Sequence, residues 1–318
     1  MTEGRWHWVG EAPAKVNLRL EVLARERSGY HQIETIFQAL ELSDGVELLL
    51  GEGEGVSLDV RGVPEGALGA PDQNLVVRAA RAYLAALSGG GGAVGGSLPG
   101  LQITLTKRIP HGAGLGGGSS DAATVLLGLQ ELGGQLGWPA LSLEELLRIG
   151  GSLGADVPFF LSGASRALGW GRGDRLLPLE PLPPREVLLL LPRIRISTLW
   201  AYEVLAGWRA RRGGEHAVAP ARLRPIPTDW EGSAAEAHND FAEALAPEVP
   251  ELGEIRDLLL RGGARLALLS GSGSALFGVF DDPGAVETLV GTLPTRIPGL
   301  QLLRTRTRGS LYPPLPSG

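Results

Sequence analysis

"RIPHGAGLGGGSSDAATVLLGLQ", residues 108–130, is the stretch on which the reading of this chain turns. Five glycines and two serines stand between Pro110 and Asp121, where a run of helical character begins. Glycine gives up more backbone freedom on folding than any other residue, so such a run marks a slack loop or a backbone that must approach something closely. Upstream, "LQITLTKR" reads as a strand; downstream, "DAATVLLGLQEL" reads as a helix starting near Ser119. A loop in that place has the features of a phosphate cradle. The helix start turns free N–H groups and a partial positive charge toward it. Glycines let more N–H groups come close to phosphate oxygens, and Ser119 and Ser120 add hydroxyl donors. The other glycine-rich stretch, "SGGGGAVGGSLPG" at 88–100, has no periodicity and opens no helix, and reads as a surface insert without a function.

Spacing tests the two best-known phosphate loops. A Walker A loop needs lysine after its last glycine, and here Ser119 follows Gly118. "GAGLGG", Gly112 to Gly117, fits G-x-G-x-x-G, yet "KRIPH" separates it from the strand. About 20 residues on, where a dinucleotide site needs an acidic strand end, "GWPALSLEEL" reads as loop and helix. A nicotinamide-dependent oxidoreductase is therefore the weaker reading.

Composition sets the frame. With 318 residues, 43% of them apolar, the chain can bury a sizeable core and divide into two domains. A net charge of −6 argues against nucleic acid as a partner. Without cysteine there is no disulfide framework, iron–sulfur cluster or thiolate zinc site. "MTEGRWHWVGEAPAK" has no apolar segment of signal-peptide type, and no apolar run reaches the roughly 18 residues of a membrane span, so a cytoplasmic protein without a membrane partner is expected. Lys15 and Lys107 are the only lysines among 29 basic residues. Where arginine is the default, each is a candidate for needing a compact point charge.

Along the chain, "AKVNLRLEVLA" alternates as a strand, "GYHQIETIFQAL" and "DGVELLL" continue in β style, and "PDQNLVVRAARAYLAAL" carries a helical stripe. "SLEELLRIG" predicts a helix with Ser142 as N-cap and Glu145 closing a capping box. The Pro-rich segment 178–184 suggests a domain boundary, giving 1–177 and 178–318. "EVLLLLP", "STLWAYEVLAG", "NDFAEALAPEVPELGEIRDLLLRGGA", "LALLSGSGSALFGVF" and a final αβ unit follow. Strands and helices mix without a clean βαβ repeat, which favours an α+β protein. "RTRTR" at 304–308 reads as an edge strand kept soluble by charge, and "YPPLPSG" as a disordered tail.

Taken together, P-x-x-x-G-L-G-G-G-S-S-D-A-A from Pro110 to Ala123, "APAKVNLRLEV" near the N-terminus and "LLSGSGSALFGVF" near the C-terminus resemble the GHMP kinase superfamily of small-molecule kinases. The resemblance spans most of the chain. It implies two α+β domains, the N-terminal one similar to ribosomal protein S5, with ATP and acceptor meeting in the cleft between them. "PAKVNLRL", "SGYHQIETIFQAL" and "LGADVPFFLSG" narrow it to the branch whose acceptor is a methylerythritol bearing a cytidine diphosphate head, phosphorylated at its 2-hydroxyl in the non-mevalonate isoprenoid pathway. A mevalonate-, homoserine- or sugar-type kinase of the same superfamily is the alternative. A non-catalytic binding protein on this fold would lack the Asp–Lys pair.

By that resemblance Asp156 takes the proton of the acceptor hydroxyl, and Lys15 is its charge partner and meets the γ-phosphate. Phosphoryl transfer rests on positioning and charge neutralisation, and a neighbouring lysine favours a carboxylate's ionised form. Pro110, Gly112, Gly114, Leu115, Gly116, Gly117, Gly118, Ser119 and Ser120 would hold the ATP phosphates, with Asn74 and Lys107 touching the nucleotide. Asn17, on the face of Lys15, would hold the methylerythritol hydroxyls. Tyr30, His31 and Phe37 fall where the family places its cytosine contacts. Thr198 and Tyr202 match its aromatic lid, where Trp200 competes for stacking. Gly271 and Ser272 of "SGSGS" belong to a second glycine turn beside the phosphates. His7, His216 and His238 show no ligand spacing, so Mg²⁺ is expected to come with ATP, on phosphate and water ligands. A monomer or a homodimer is expected.

Overall fold

A computed structural model describes the chain apart from residues 1–5, 27–28, 52, 90–99, 213–223, 298 and 311–318. Two long strands open it, β1 (Trp6–Arg25) and β2 (His31–Gly51), followed by β3 (Val56–Arg61). After one 3₁₀ turn come α1 (Leu75–Gly89), β4 (Gly100–Thr106), α2 (Gly117–Gln135), α3 (Leu143–Leu153) and α4 (Val157–Leu161). The hairpin strands β5 (Arg166–Gly171) and β6 (Arg175–Pro178) precede β7 (Glu186–Leu191), α5 (Thr198–Arg211), α6 (Trp230–Ala235) and the two-residue β8 (His238–Asn239). The chain closes with α7 (Asp240–Leu245), α8 (Pro250–Arg261), β9 (Leu266–Leu269), β10 (Leu276–Phe280), α9 (Pro283–Arg296) and β11 (Gln301–Arg306). The tail and most of the 88–100 insert lie outside the described residues.

By contact the chain falls into two interleaved compact units. The first is Met1–Ala14, Leu42–Pro110 and Gly116–Gly163; the second is Lys15–Glu41, His111–Leu115 and Ala164–Gly318. The division does not follow the Pro-rich segment 178–184. β5 and β6 precede it, yet they belong to the second unit, because β5 pairs antiparallel with residues 33–38 of β2. Prolines punctuate the chain locally, whereas strand pairing decides which unit a segment joins.

In the first unit, residues 45–51 of β2 pair antiparallel with β4, and β3 adds parallel to β4. Helix α2 is buried around much of its circumference from Ser120 to Gly133, consistent with its small and apolar residues. It begins at Gly117 rather than near Ser119, with Gly116 in the left-handed conformation at its N-cap. Two of the loop glycines are thus already helical. The α3 capping box forms as its sequence requires: Glu145 N–H donates to Ser142 Oγ at 3.2 Å, and Ser142 N–H to Glu145 Oε2 at 2.8 Å.

In the second unit, β11–β7–β10–β9 form an antiparallel sheet, with β11 at its edge as the arginine-rich "RTRTR" suggests. Arg304 pairs there with Glu186 at 2.7 Å. Leu188 and Leu190 of β7 and Leu276 and Phe280 of β10 join a core completed by Ala201 and Leu205, Phe241 and Leu245, Ile255 and Leu259, and Val286 and Leu293 from the helices.

The feature that matters most for chemistry is β1. Alternation with a period of two puts Ala12, Ala14, Val16, Leu18, Leu20 and Val22 on one face and Lys15, Asn17, Arg19 and Glu21 on the other, and all ten are buried. Burying charged and amide groups is costly unless each is partnered, so the polar face must be matched by other elements of the fold.

Candidate active site

In the second unit the polar face of β1 is matched by a chain of hydrogen bonds. Lys15 Nζ donates to Asn17 Oδ1 at 2.8 Å and lies 5.6 Å from the centre of the Phe37 ring, a cation–π distance. Asn17 Nδ2 donates to Thr35 Oγ1 at 2.8 Å, and that hydroxyl passes its hydrogen to the Arg19 carbonyl at 2.7 Å. Asn17 Oδ1 also accepts the Gly271 N–H at 3.1 Å. Lys15, Asn17, Phe37 and Gly271 are therefore brought together, Phe37 lying against the lysine, and the carboxamide of Asn17 spends most of its bonding capacity on protein groups. Thr35 was not singled out from the sequence. The signal was available: residues 35 and 37 alternate onto one face of β2.

The second glycine turn joins antiparallel β9 and β10, so it is a hairpin turn as well as a site element. Ser270 Oγ donates to the Gly114 carbonyl at 2.9 Å, and the Lys15 N–H donates to the Leu115 carbonyl at 2.9 Å. Gly114 has φ +80°, and a Cβ there would stand 2.1 Å from the Ser270 carbonyl oxygen. Only glycine fits both the left-handed conformation and that approach. The glycines of the opening stretch thus serve a close contact at this position, although the contact is with protein. Thr198 Oγ1 and Ser272 Oγ lie 3.1 Å apart, linking the start of α5 to the same turn.

The expected base-recognition residues separate into two groups. His31 stacks on Tyr202 with ring centres 4.1 Å apart and planes 12° from parallel, and Tyr202 meets the edge of Phe241 at 4.9 Å. Burial, with the nearby charges of Arg25 and Arg209, lowers the His31 pKa and keeps the imidazole neutral at pH 7. A neutral ring can donate at one nitrogen and accept at the other. Tyr30 is exposed and carries the Arg172 guanidinium 4.0 Å from its ring centre, and Arg172 in turn pairs with Glu26 at 2.9 Å. Trp200 is partly exposed on α5.

In the first unit, the strand leaving β4 and the start of α2 are tied by a buried ion cluster. Lys107 Nζ bonds Asp44 and, at 2.7 Å, Asp121. Asp44 Oδ1 also accepts the N–H groups of Arg108 and Ile109 at 2.5 and 2.8 Å. Lys107, expected at the nucleotide, thus has its ammonium enclosed by two carboxylates, and Asp44 is a further residue the sequence reading missed. Burial pushes the Asp121 carboxyl up to about 8, with Lys107 opposing and Asp44 adding to the shift. Burial works against the Lys107 ammonium, but Asp121 and Asp44 outweigh it and raise its pKa. Ser120 Oγ and Asp121 Oδ1 are buried without a hydrogen-bond partner.

Other expected positions in this unit have local roles as well. Asn74 Oδ1 accepts the Val76 N–H at 3.1 Å and so caps the start of α1. Gly112, Gly114 and Gly116 all have positive φ, so the loop winds through alternate left-handed residues. A Cβ on Gly154 would lie 3.6 Å from Ser119 Oγ, which puts Ser119 beside the turn leading to Asp156. Asp156 stands half-buried at the N-cap of α4, where its side chain makes no capping bond.

Strand, glycine loop and helix, with a buried lysine on the polar face of β1, define a small-molecule kinase of GHMP type. The family models for the GHMP kinases N terminal domain and GHMP kinases C terminal match residues 74–164 and 228–297, and the chain belongs to the GHMP kinases. It is 41% identical over 279 residues to the 4-diphosphocytidyl-2-C-methyl-D-erythritol kinase of Geobacter sp. strain M21, covering 87% of this chain and 91% of that one. The corresponding enzyme of Solibacter usitatus is 40% identical over 86% of this chain and 82% of its own. A crystal structure of 4-(cytidine 5'-diphospho)-2C-methyl-D-erythritol kinase superposes with a TM-score of 0.69 at 33% identity, over 94% of this chain and 99% of that one. Within the GHMP kinases, then, the chain belongs to the 4-diphosphocytidyl-2-C-methyl-D-erythritol kinase family. Homoserine kinase from Cytophaga hutchinsonii, at 18% identity and a TM-score of 0.69, shares the fold.

Proposed function

We propose that this chain transfers the γ-phosphoryl group of ATP to the 2-hydroxyl of 4-diphosphocytidyl-2-C-methyl-D-erythritol, a step of the non-mevalonate isoprenoid pathway. The observation that carries the reading is Lys15: a buried ammonium on the polar strand face, held by Asn17 beside a glycine turn that itself bonds Gly114 of the phosphate loop. Family membership supports the acceptor. No helix among the described residues is long and apolar enough to cross a membrane.

In this reading the acceptor oxygen attacks the γ-phosphorus, the bond to the β–γ bridging oxygen breaks, and ADP leaves with that electron pair. The hydroxyl proton passes to the carboxylate of Asp156. In a loose transition state the proton moves late, so Asp156 orients the hydroxyl first and accepts afterwards. Lys15 neutralises charge developing on the transferred group. The backbone of 112–120 holds the phosphates, with Pro110 and Leu115 shaping the loop, while Lys107 acts by fixing its flanks and Asn74 by capping α1 beside it. His31 reads the pyrimidine edge, with Tyr30, Tyr202 and Phe37 as apolar and aromatic surroundings and Thr198, Gly271 and Ser272 as polar contacts of the acceptor.

Mg²⁺ belongs to the reading as the companion of ATP. Among the described residues no group of three or more His, Asp or Glu side chains could hold a metal ion, whereas Ser120 Oγ at the loop has no hydrogen-bond partner and would be available to one. That donor set fits an ion that keeps mostly phosphate and water ligands. Bound there, it would neutralise phosphate charge.

The test is ADP release by purified protein with Mg·ATP and a panel of 4-diphosphocytidyl-methylerythritol, methylerythritol, mevalonate, homoserine and galactose. Turnover confined to the cytidylated acceptor is expected. Turnover with a different member, or with none, would refute the assignment.

A further inference from the structure

Gly271 is held from both sides by buried asparagines. Its N–H points at Asn17 Oδ1, and its carbonyl accepts Asn239 Nδ2 at 2.9 Å. The same Nδ2 donates to the Leu269 carbonyl at 2.8 Å, so both ends of the bend leaving β9 hang on one amide. Asn239 Oδ1 accepts the Phe241 N–H at 2.9 Å and caps α7. The orientation of both carboxamides is dictated by their neighbours. Asn239 Oδ1 faces a donor and its Nδ2 faces two carbonyls; Asn17 Oδ1 faces Lys15 Nζ and the Gly271 N–H, and its Nδ2 faces a hydroxyl whose hydrogen is already committed. Both residues are nearly inaccessible, Asn17 at 1% and Asn239 at 2%.

Removing an amide here would leave buried carbonyls unpaired and free the Gly271 peptide to rotate. Gly271 has φ +57°, the left-handed region that glycine enters and leaves freely, so the turn needs something to hold it. Were the peptide to rotate, Asn17 Oδ1 would lose its second donor, and the lysine bonded to that oxygen would lose its fixed direction.

We propose that Asn239 is a positioning residue for phosphoryl transfer: through Gly271 and Asn17 it fixes the direction of Lys15. It touches neither acceptor nor nucleotide. The inference rests on the role given above to Lys15, and it also redefines Asn17, whose main duty becomes orienting the lysine.

The substitution that isolates this role is Asn239→Ser. Serine still caps α7, but its short side chain cannot span to the Leu269 and Gly271 carbonyls. The expected result is a loss of about 10–100-fold in kcat, the scale of a small misplacement of a catalytic group, with KM for ATP and acceptor within about threefold of the parent. Rates are normalised to the folded fraction, counted by calorimetric titration with a non-hydrolysable ATP analogue. In a Lys15→Met background the same substitution should cost almost nothing more, because the group it positions is gone. An unchanged kcat, a loss that merely follows the folded fraction, or an equal loss in both backgrounds would overturn the proposal. Full turnover by Lys15→Met alone would instead overturn the lysine's role, so the two failures are distinguishable.

Discussion

Replacing Lys107 with methionine keeps a similar apolar stem and removes the ammonium that Asp44 and Asp121 share. Taking one partner from a buried ion pair costs about 3–5 kcal/mol, because the charge left behind is uncompensated. Two features of this cluster set the cost at the low end. Asp44 keeps the N–H groups of Arg108 and Ile109 as hydrogen-bond donors. Asp121, pushed up to about 8, already holds its proton at pH 6 and so leaves no bare charge behind there. A loss of about 3 kcal/mol near pH 6 is therefore expected, and a larger one at pH 9, where that proton is harder to acquire. Urea unfolding followed by circular dichroism at both pH values reads the loss. Because the cluster ties the exit of β4 to the first turn of α2, the variant's KM for ATP should also rise about tenfold if roughly 1.4 kcal/mol of loop ordering is lost. A stability loss below about 1 kcal/mol at both pH values would refute the argument that this lysine is a buried structural charge. An unchanged KM for ATP would refute the argument that it holds the loop.

Other expectations concern single positions. Asp156→Ala should lower kcat by about 10²–10⁴, as for a positioned base; full activity would remove Asp156 from the mechanism. Between its ordinary value near 4 and its folded value of about 8, Asp121 binds its proton in the folded state and not in the unfolded one. Its contribution to stability is therefore fully present below about pH 4 and is lost as pH rises through about 8. Asp121→Asn should flatten that part of the stability–pH curve, and parallel curves for the two proteins would contradict the shift. Gly114→Ala places a methyl group 2.1 Å from the Ser270 carbonyl oxygen at φ +80°, so the loop must move. A rise in KM for ATP of at least tenfold is expected, and wild-type kinetics would show that the contact is dispensable.

Much of this was legible from local pattern. The order of strand, glycine loop and helix follows from periodicity and from Gly116–Gly118 and Ser119–Ser120. Ser142 and Glu145 announce the start of α3 because a capping box closes within three residues. The period of β1 puts Lys15 and Asn17 on one face whatever they meet there. The edge position of β11 shows in its arginines, since an unpaired strand edge needs charge to stay apart from other edges. Where the reading fell short, the deciding partner was distant. Lys107 reads as available for a nucleotide because its partner Asp44 lies 63 residues away, and the Pro-rich segment reads as a boundary because the pairing of β5 with β2 leaves no local mark in the sequence.

By itself, then, the sequence determined what is local: secondary structure, caps, the face on which each polar group stands, and a motif set specific enough to show the family. Tertiary structure alone decided how those polar groups are used. The bond between Asn17 and Gly271 spans 254 residues, and that between Asn239 and Gly271 spans 32. Faces come from backbone geometry, which every residue carries with it. A buried hydrogen bond exists only once packing has removed water and placed one particular partner within about 3 Å.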